Sequence, residues 1–261
     1  MKKLVNFVFI LFLFIGIFQT PISANNTNED NKCYLIVNGR KFGNGYDSNT
    51  NYYIQRGLFT GRQTIKYKDG TRETFKEIVI PGNFQYIDVC GFSDCRNLEK
   101  VTLNEGIKAI CGAAFRDCEN LKSISIPKSV EYIQSDAFKG CINLKSIILP
   151  EGIEAINTNT FMGCKSLESI NIPKSVKEIC KNAFRDCSSL KKISIPNGVE
   201  KIFSGAFAYC GMENIKIPNS VKFIYRRYYD DECDPFKGID TVYYNGTATG
   251  SPWGAKRHCR Y

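Results

Sequence analysis

Phe92, Phe115, Phe138, Phe161, Phe184 and Phe207 fall 23 residues apart, five times in succession. Each is followed three residues later by a cysteine: Cys95, Cys118, Cys141, Cys164, Cys187 and Cys210. A phase held that long is a structural repeat, and a unit of this size cannot bury its own apolar side, so it must stack on its neighbours. The full unit reads F-x2-C-x2-L-x2-I-x-I-P-x2-V-x2-I-x4-F. Leu98, Leu121, Leu144, Leu167 and Leu190 fill one column, and Pro127, Pro150, Pro173, Pro196 and Pro218 another. Asn104 interrupts the Pro column, and Met212 arrives one residue early in the Leu column.

Within each unit the segments KVTL, SISI, SIIL, SINI, KISI and NIKI alternate an outward residue with an inward Ile, Val or Leu, which is strand periodicity. Proline then stops the ladder, and Gly106, Ser129, Gly152, Ser175, Gly198 or Ser220 turns the chain two residues on.

This pattern, from about Phe75 to Tyr244, resembles the leucine-rich repeats of the BspA-like, or treponemal, type found in bacterial and some protist surface proteins. The resemblance implies an α/β-type repeat solenoid with one short parallel β-strand per 23-residue coil. It also implies a role outside the cell in attachment to a protein or glycan, without a cofactor and without chemistry of its own.

The ends differ from the repeat. Lys2 and Lys3, the apolar run Leu4 to Phe18 and the small residues up to Ala24 read as a secretory signal peptide, with a retained anchor as the alternative. Residues 25–77 read as a small β N-terminal cap, with Asn38-Gly39 and Asp69-Gly70 as hairpin turns. The solenoid proper is placed at 78–244 and a C-terminal cap or tail at 245–261, with Trp253 available to cover the open core. Between Ile224 and Phe236 the segment RRYYDDECD exceeds the repeat, and reads either as a capping loop or as a binding element. Asn25 and Asn245 head glycosylation sequons.

Formal charge is +9 for the whole chain. Loss of Lys2 and Lys3 with the signal peptide leaves a mildly basic protein, not a nucleic-acid binder. The basic residues Arg56, Arg62, Lys66, Lys68, Arg72 and Lys76 outnumber Asp69 and Glu73 in the second half of the cap. They form either a solvated hairpin face or a polyanion site.

The cysteine column invites a metal or disulfide reading. Stacked coils lie about 4.8 Å apart with side chains parallel, whereas a disulfide needs Cβ atoms roughly 3.8 Å apart and turned together, so buried free thiols are expected. A hydroxyl at such a position would bring an unmet hydrogen-bonding demand. Cys90 with Cys95, Cys111 with Cys118 and Cys180 with Cys187 could each close across one coil, and Cys233 with Cys259 could tie the insertion to the tail. His258, the only histidine, stands beside Cys259. A cysteine hydrolase built on that pair is the enzymatic alternative, but neighbours in an extended chain point apart.

The outward strand positions supply the candidate binding face: Lys100 and Thr102, Ser123 and Ser125, Ser146 and Ile148, Ser169 and Asn171, Lys192 and Ser194, Asn214 and Lys216. They are mostly small and polar and leave a flat surface that a partner can approach. Along its flank, Glu99, Lys122, Lys145, Glu168, Lys191 and Glu213, and likewise Glu105, Lys128, Glu151 and Lys174, mix their signs from coil to coil, which favours register.

Overall fold

The computed structural model describes residues 32–47, 53–54, 59–66, 70–225, 234–248, 255 and 257–259. The chain winds as a β-solenoid in which all but one coil carry two short strands rather than one. The first column holds β6 (Glu77–Ile80), β8 (Lys100–Leu103), β10 (Ser123–Ser125), β12 (Ser146–Ile147), β14 (Ser169–Ile170), β17 (Asn214–Lys216) and β19 (Thr241–Tyr243). The second holds β3 (Tyr53–Ile54), β7 (Tyr86–Ile87), β9 (Ala109–Ile110), β11 (Tyr132–Ile133), β13 (Ala155–Ile156), β15 (Glu178–Ile179), β16 (Lys201–Ile202) and β18 (Phe223–Ile224). Pairing within both columns is parallel, and residues of like position meet, as in Ile124↔Val101, Ile133↔Ile110 and Ile202↔Ile179. The second column escapes a sequence reading because two residues are too few to show alternation.

Lys192–Ile195 repeats the strand pattern yet forms no ladder, although Ile195 is buried. Elsewhere a side-chain amide takes the backbone's place. Asn171 Oδ1 accepts from Leu149 N at 2.8 Å and its Nδ2 donates to Leu149 O at 3.0 Å, and Asn157 Nδ2 donates to Ile133 O at 2.6 Å.

The third side of each coil carries the phenylalanine. No helix occurs among the described residues, so the α/β part of the expected class is not met. The reason is two left-handed residues per coil, flanking the Phe on either side. Asp136, Asn159 and Asn182 precede it at φ 60, 56 and 54, and Asp94, Asp117 and Asp186 follow it at φ 57, 55 and 62. Asx residues tolerate that conformation, and a left-handed residue breaks a helical hydrogen-bond series. The amides there donate forward instead, Phe115 N to Ala137 O at 2.9 Å and Asp117 N to Lys139 O at 2.7 Å, which makes a third ladder between coils.

Ring stacking runs through this side. Phe59, Phe92, Phe115, Phe138, Phe161, Phe184, Phe207 and Phe236 follow one another at centroid separations of 5.0, 5.2, 5.7, 5.7, 5.6, 5.4 and 6.0 Å, each pair within 10° of parallel. All are buried.

Phe59 is the first ring of that stack, and this displaces the expected boundary at residue 77. Phe59 N donates to Gly91 O and Gly61 N to Ser93 O, as in every later coil, and β3 pairs with β7. The described residues between 53 and 80 therefore belong to a solenoid coil, and a separate cap ending at 77 is not supported. Phe59 lies 33 residues before Phe92 because a hairpin, β4 (Thr64–Lys66) and β5 (Arg72–Thr74), is inserted into the coil. Ahead of it, β1 (Lys32–Val37) and β2 (Arg40–Asp47) form the expected Asn38-Gly39 hairpin, with Asn38 and Gly39 at φ 47 and 79, and β1 pairs antiparallel with β6. At the other end β20 (Arg257–Cys259) adds in parallel to β19. The expected signal peptide, Asn25, Trp253 and most of the RRYYDDECD insertion lie outside the described residues.

The turn column alternates Gly and Ser for a reason. Ser129 Oγ accepts from Gly106 N at 2.9 Å and donates to Ile107 O at 2.8 Å. Ser175 does the same for Gly152 N at 3.1 Å and Ile153 O at 2.8 Å. Each serine thus closes the turn of the coil before it.

If the first coil belongs to the solenoid, Phe59→Ala should cost about as much as Phe138→Ala, roughly 3 to 5 kcal/mol each. Denaturant unfolding followed by circular dichroism would check this. A Phe59 variant that loses an early, separate transition and leaves the rest unchanged would restore the independent cap.

Candidate functional site

The first strand column turns one edge of every coil to solvent. Ser123, Ser125, Ser146, Ser169, Asn171, Lys192, Ser194, Asn214, Lys216 and Lys100 are exposed there, Thr102 is half-buried, and Ile148 is 76% exposed. Register brings Ser123 beside Lys100, Ser125 beside Thr102 and Ser146 beside Ser169. Asn214 and Lys216 stand on β17, whose partner is β19. The amide of Asn171 is committed to Leu149, so it serves the fold before any ligand. The arrangement is a row of short hydroxyls with one large apolar side chain standing in it.

Opposite signs meet at some coil contacts, while Lys122 and Lys145 stand alike in neighbouring coils. Lys122 Nζ lies 2.6 Å from Glu99 Oε2, and Lys76 Nζ lies 3.6 Å from the other oxygen of that carboxylate. The two lysines, Lys122 foremost, hold the Glu99 carboxyl below its ordinary range. Glu105 accepts from the backbone amides of Lys128 and Ser129, both at 3.1 Å, and is likewise held low.

Exposed aromatic rings occur on the second column, which the sequence reading passed over: Phe223 is 50% and Tyr225 41% exposed, and Tyr225 stacks on Phe203 at 4.6 Å. Their signal is the residue on either side of the inward Ile of V-x2-I, as in KFIY.

The cysteine column is an internal hydrogen-bond device. Cys118 Sγ donates to Phe92 O at 3.1 Å, Cys141 to Phe115 O at 3.1 Å, Cys164 to Phe138 O at 3.2 Å, Cys187 to Phe161 O at 3.2 Å and Cys210 to Phe184 O at 3.1 Å. Each thiol thus binds the phenylalanine carbonyl of the coil before it, which the expectation of an unpartnered apolar position missed. All six column cysteines are free and buried, and Cys90, Cys111 and Cys180 are free as well, so the bridges considered across single coils do not form. Burial pushes Cys95, Cys111 and Cys164 up to about 12 and Cys180 to about 11, from an ordinary 9.0. Thiolate chemistry is suppressed at these buried positions. The proposed Cys233–Cys259 bridge rests on Cys233, outside the described residues.

His258 belongs to a strand, opposite Val242, and its Nε2 lies 3.0 Å from Tyr244 O. Consecutive residues of a strand face opposite ways, which disfavours a Cys-His nucleophile pair at 258 and 259. Among the described residues no group of three or more His, Cys, Asp or Glu side chains is placed to hold a metal ion, and no helix is long and apolar enough to cross a membrane.

The profile of the BspA type leucine-rich repeat region matches residues 63–128 and 108–234, in six copies. The chain belongs to this family. A leucine-rich repeat protein from Bacteroides ovatus superposes with TM-score 0.52 at 22% identity, over 94% of this chain and 71% of its own. A leucine-rich cell surface protein from Faecalibacterium prausnitzii gives TM-score 0.52 at 18% identity, over 93% of this chain and 95% of its own. The leucine-rich repeat protein of T. pallidum aligns at 23% identity over 77% of this chain and 90% of its own, with TM-score 0.47. No curated protein matches the sequence. At these identities the first two share the leucine-rich repeat fold with this chain.

In this leucine-rich repeat chain the thiols should behave as packing groups. Alkylation of Cys141 and Cys164 should be slow in the folded protein, quick after unfolding, and little faster at pH 9 than at pH 7. Because these thiols titrate higher in the fold than in the unfolded chain, their contribution to stability is complete below pH 9 and is lost as pH rises, for Cys164 toward about 12. Cys141→Ala should cost about 1 to 2 kcal/mol, and Cys141→Ser no more, since the hydroxyl inherits the Phe115 carbonyl. Mass mapping and chemical denaturation would read both.

Proposed function

We propose that this protein is an exported leucine-rich repeat module that binds an extracellular protein through its first strand column and catalyses no reaction itself. The observation that carries the reading is Ile148. A large apolar side chain 76% exposed among Ser125, Ser146, Ser169 and Asn171 contributes nothing to the core, and it is shaped to enter a partner's pocket. The surrounding serines keep the surface low, so a partner can close over the isoleucine and exclude water around it.

Export rests on the leader-like residues 1–24 and on the charge they leave behind. The family is one of repeat proteins, and stacked repeats present extended surfaces suited to partner binding. The buried, protonated cysteine column and the strand setting of His258 support the non-catalytic reading. A glycan is the less favoured partner for this face, because its columns lack an aromatic platform.

The test begins with an array of extracellular proteins probed with the full chain. For the partner found, Ile148→Asp and the pair Ser146→Arg with Ser169→Arg should each weaken binding about tenfold or more, as expected for a central anchor. Glu178→Gln and Lys201→Gln, on the second column, should not weaken it. Thermal midpoints should stay near the parent value, because all three face positions are exposed. Unchanged binding in the Ile148 and serine variants would move the interface elsewhere, and a turnover activity that His258→Ala abolishes would replace the reading altogether.

A further inference from the structure

The hairpin inserted into the first coil carries two cations on one solvent face. Register places Lys66 directly opposite Arg72, and Thr64 directly opposite Thr74. All four are exposed. Like charges directly opposed across a strand pair are destabilising, and nothing in the repeat requires these two. Among the described residues of the hairpin, Glu73 does not relieve them: it turns to the other side, where its Oε1 lies 3.3 Å from Arg40 Nη1 and its Oε2 accepts from Asn38 Nδ2 at 3.2 Å. Among the described residues neither Lys66 nor Arg72 has an acidic partner.

The platform beneath is firm. Ile65 and Phe75 are buried, Phe75 N donates to Gln63 O at 2.9 Å, and Gln63 Nε2 donates to Asp94 O at 2.7 Å in the next coil. The hairpin is therefore held in place with a guanidinium, an ammonium and two hydroxyls on a single face. An arginine fork and a lysine on adjacent strands offer charge-assisted donors to one tetrahedral oxyanion, and the threonines add neutral donors beside it. Insertions within a repeat array are a common place for binding elements.

We infer that this hairpin face is a binding site for a sulfated glycan, separate from the strand face and independent of it. The opposed cations are retained because a bound sulfate relieves their repulsion.

Binding of the full chain to a heparin-derived oligosaccharide, to the same oligosaccharide after desulfation and to phosphatidylglycerol vesicles tests this by calorimetry. The sulfated sugar should bind, with an affinity that falls as salt rises, and the desulfated sugar should not. Lys66→Gln with Arg72→Gln should lower the affinity about tenfold or more, the worth of lost charge-assisted bonds. Lys165→Gln with Lys222→Gln, an equal change in net charge placed elsewhere, should leave it nearly intact. Lys66→Glu should raise the thermal midpoint while abolishing sugar binding, because it converts the opposed pair to opposite signs. The inference fails if no sulfated sugar binds, if vesicles bind and the sugar does not, if both double variants lose affinity equally, or if Lys66→Glu lowers the midpoint.

Discussion

Identical side chains packed on identical side chains are the constraint from which the remainder of this structure follows. A phenylalanine whose ring lies 5.0–6.0 Å above the next, nearly parallel, sets where each coil sits on its neighbour. Once that is set, every other column must tolerate being repeated at strand spacing. Apolar columns do so at no cost, while polar ones need a device. Asp136, Asn159 and Asn182 pass one amide hydrogen bond from coil to coil at 3.2 Å. Where the next coil has no room for a further side chain, glycine stands instead: a Cβ on Gly140 would lie 2.1 Å from Asp117 Oδ1, and one on Gly205 would lie 2.0 Å from Asn182 Oδ1. Some charged positions pair opposite signs across coils, as in Lys201 to Glu178 at 2.7 Å. The Lys66–Arg72 opposition arises within one inserted hairpin rather than between coils.

The cysteines show the same economy. A serine in that column would keep a bond to the neighbouring carbonyl but fill less apolar volume, and an alanine would leave that carbonyl to the backbone amide alone. Sulfur fills apolar volume as a small hydrophobe and still donates weakly. The column therefore needs neither oxidation nor metal to explain its regularity, and its high titration range follows from that same burial.

Much of this architecture was legible in the residues, because the signals that repeat are the ones that pack. Phe, Cys, Leu and Ile columns announced the coil length, the inward faces and the free thiols. What stayed hidden was local. The second strand column is two residues long in each coil, below the length at which alternation can be recognised. The non-helical third side depends on left-handed Asp and Asn residues two positions before and after the Phe, a turn signal easily read as surface polarity. The first coil was obscured because an inserted hairpin moved Phe59 to 33 residues before Phe92, although Ile54-x4-Phe59 already matched the unit. For the binding face the exposed positions were legible. The commitment of Asn171 to Leu149, and the isolation of Ile148 that results, required coordinates.

The Ser-to-Gly hydrogen bonds give the array a parity. Ser129 serves Gly106 and Ser175 serves Gly152, so coils come in couples, and the unit that closes its own turns is 46 residues long although the motif recurs at 23. Excising one coil would strand a glycine amide without its hydroxyl, whereas excising two would leave every remaining couple whole. Lineages that lengthen or shorten such an array by recombination would accordingly drift in even steps. The reach of the binding face would then change by two coils at a time.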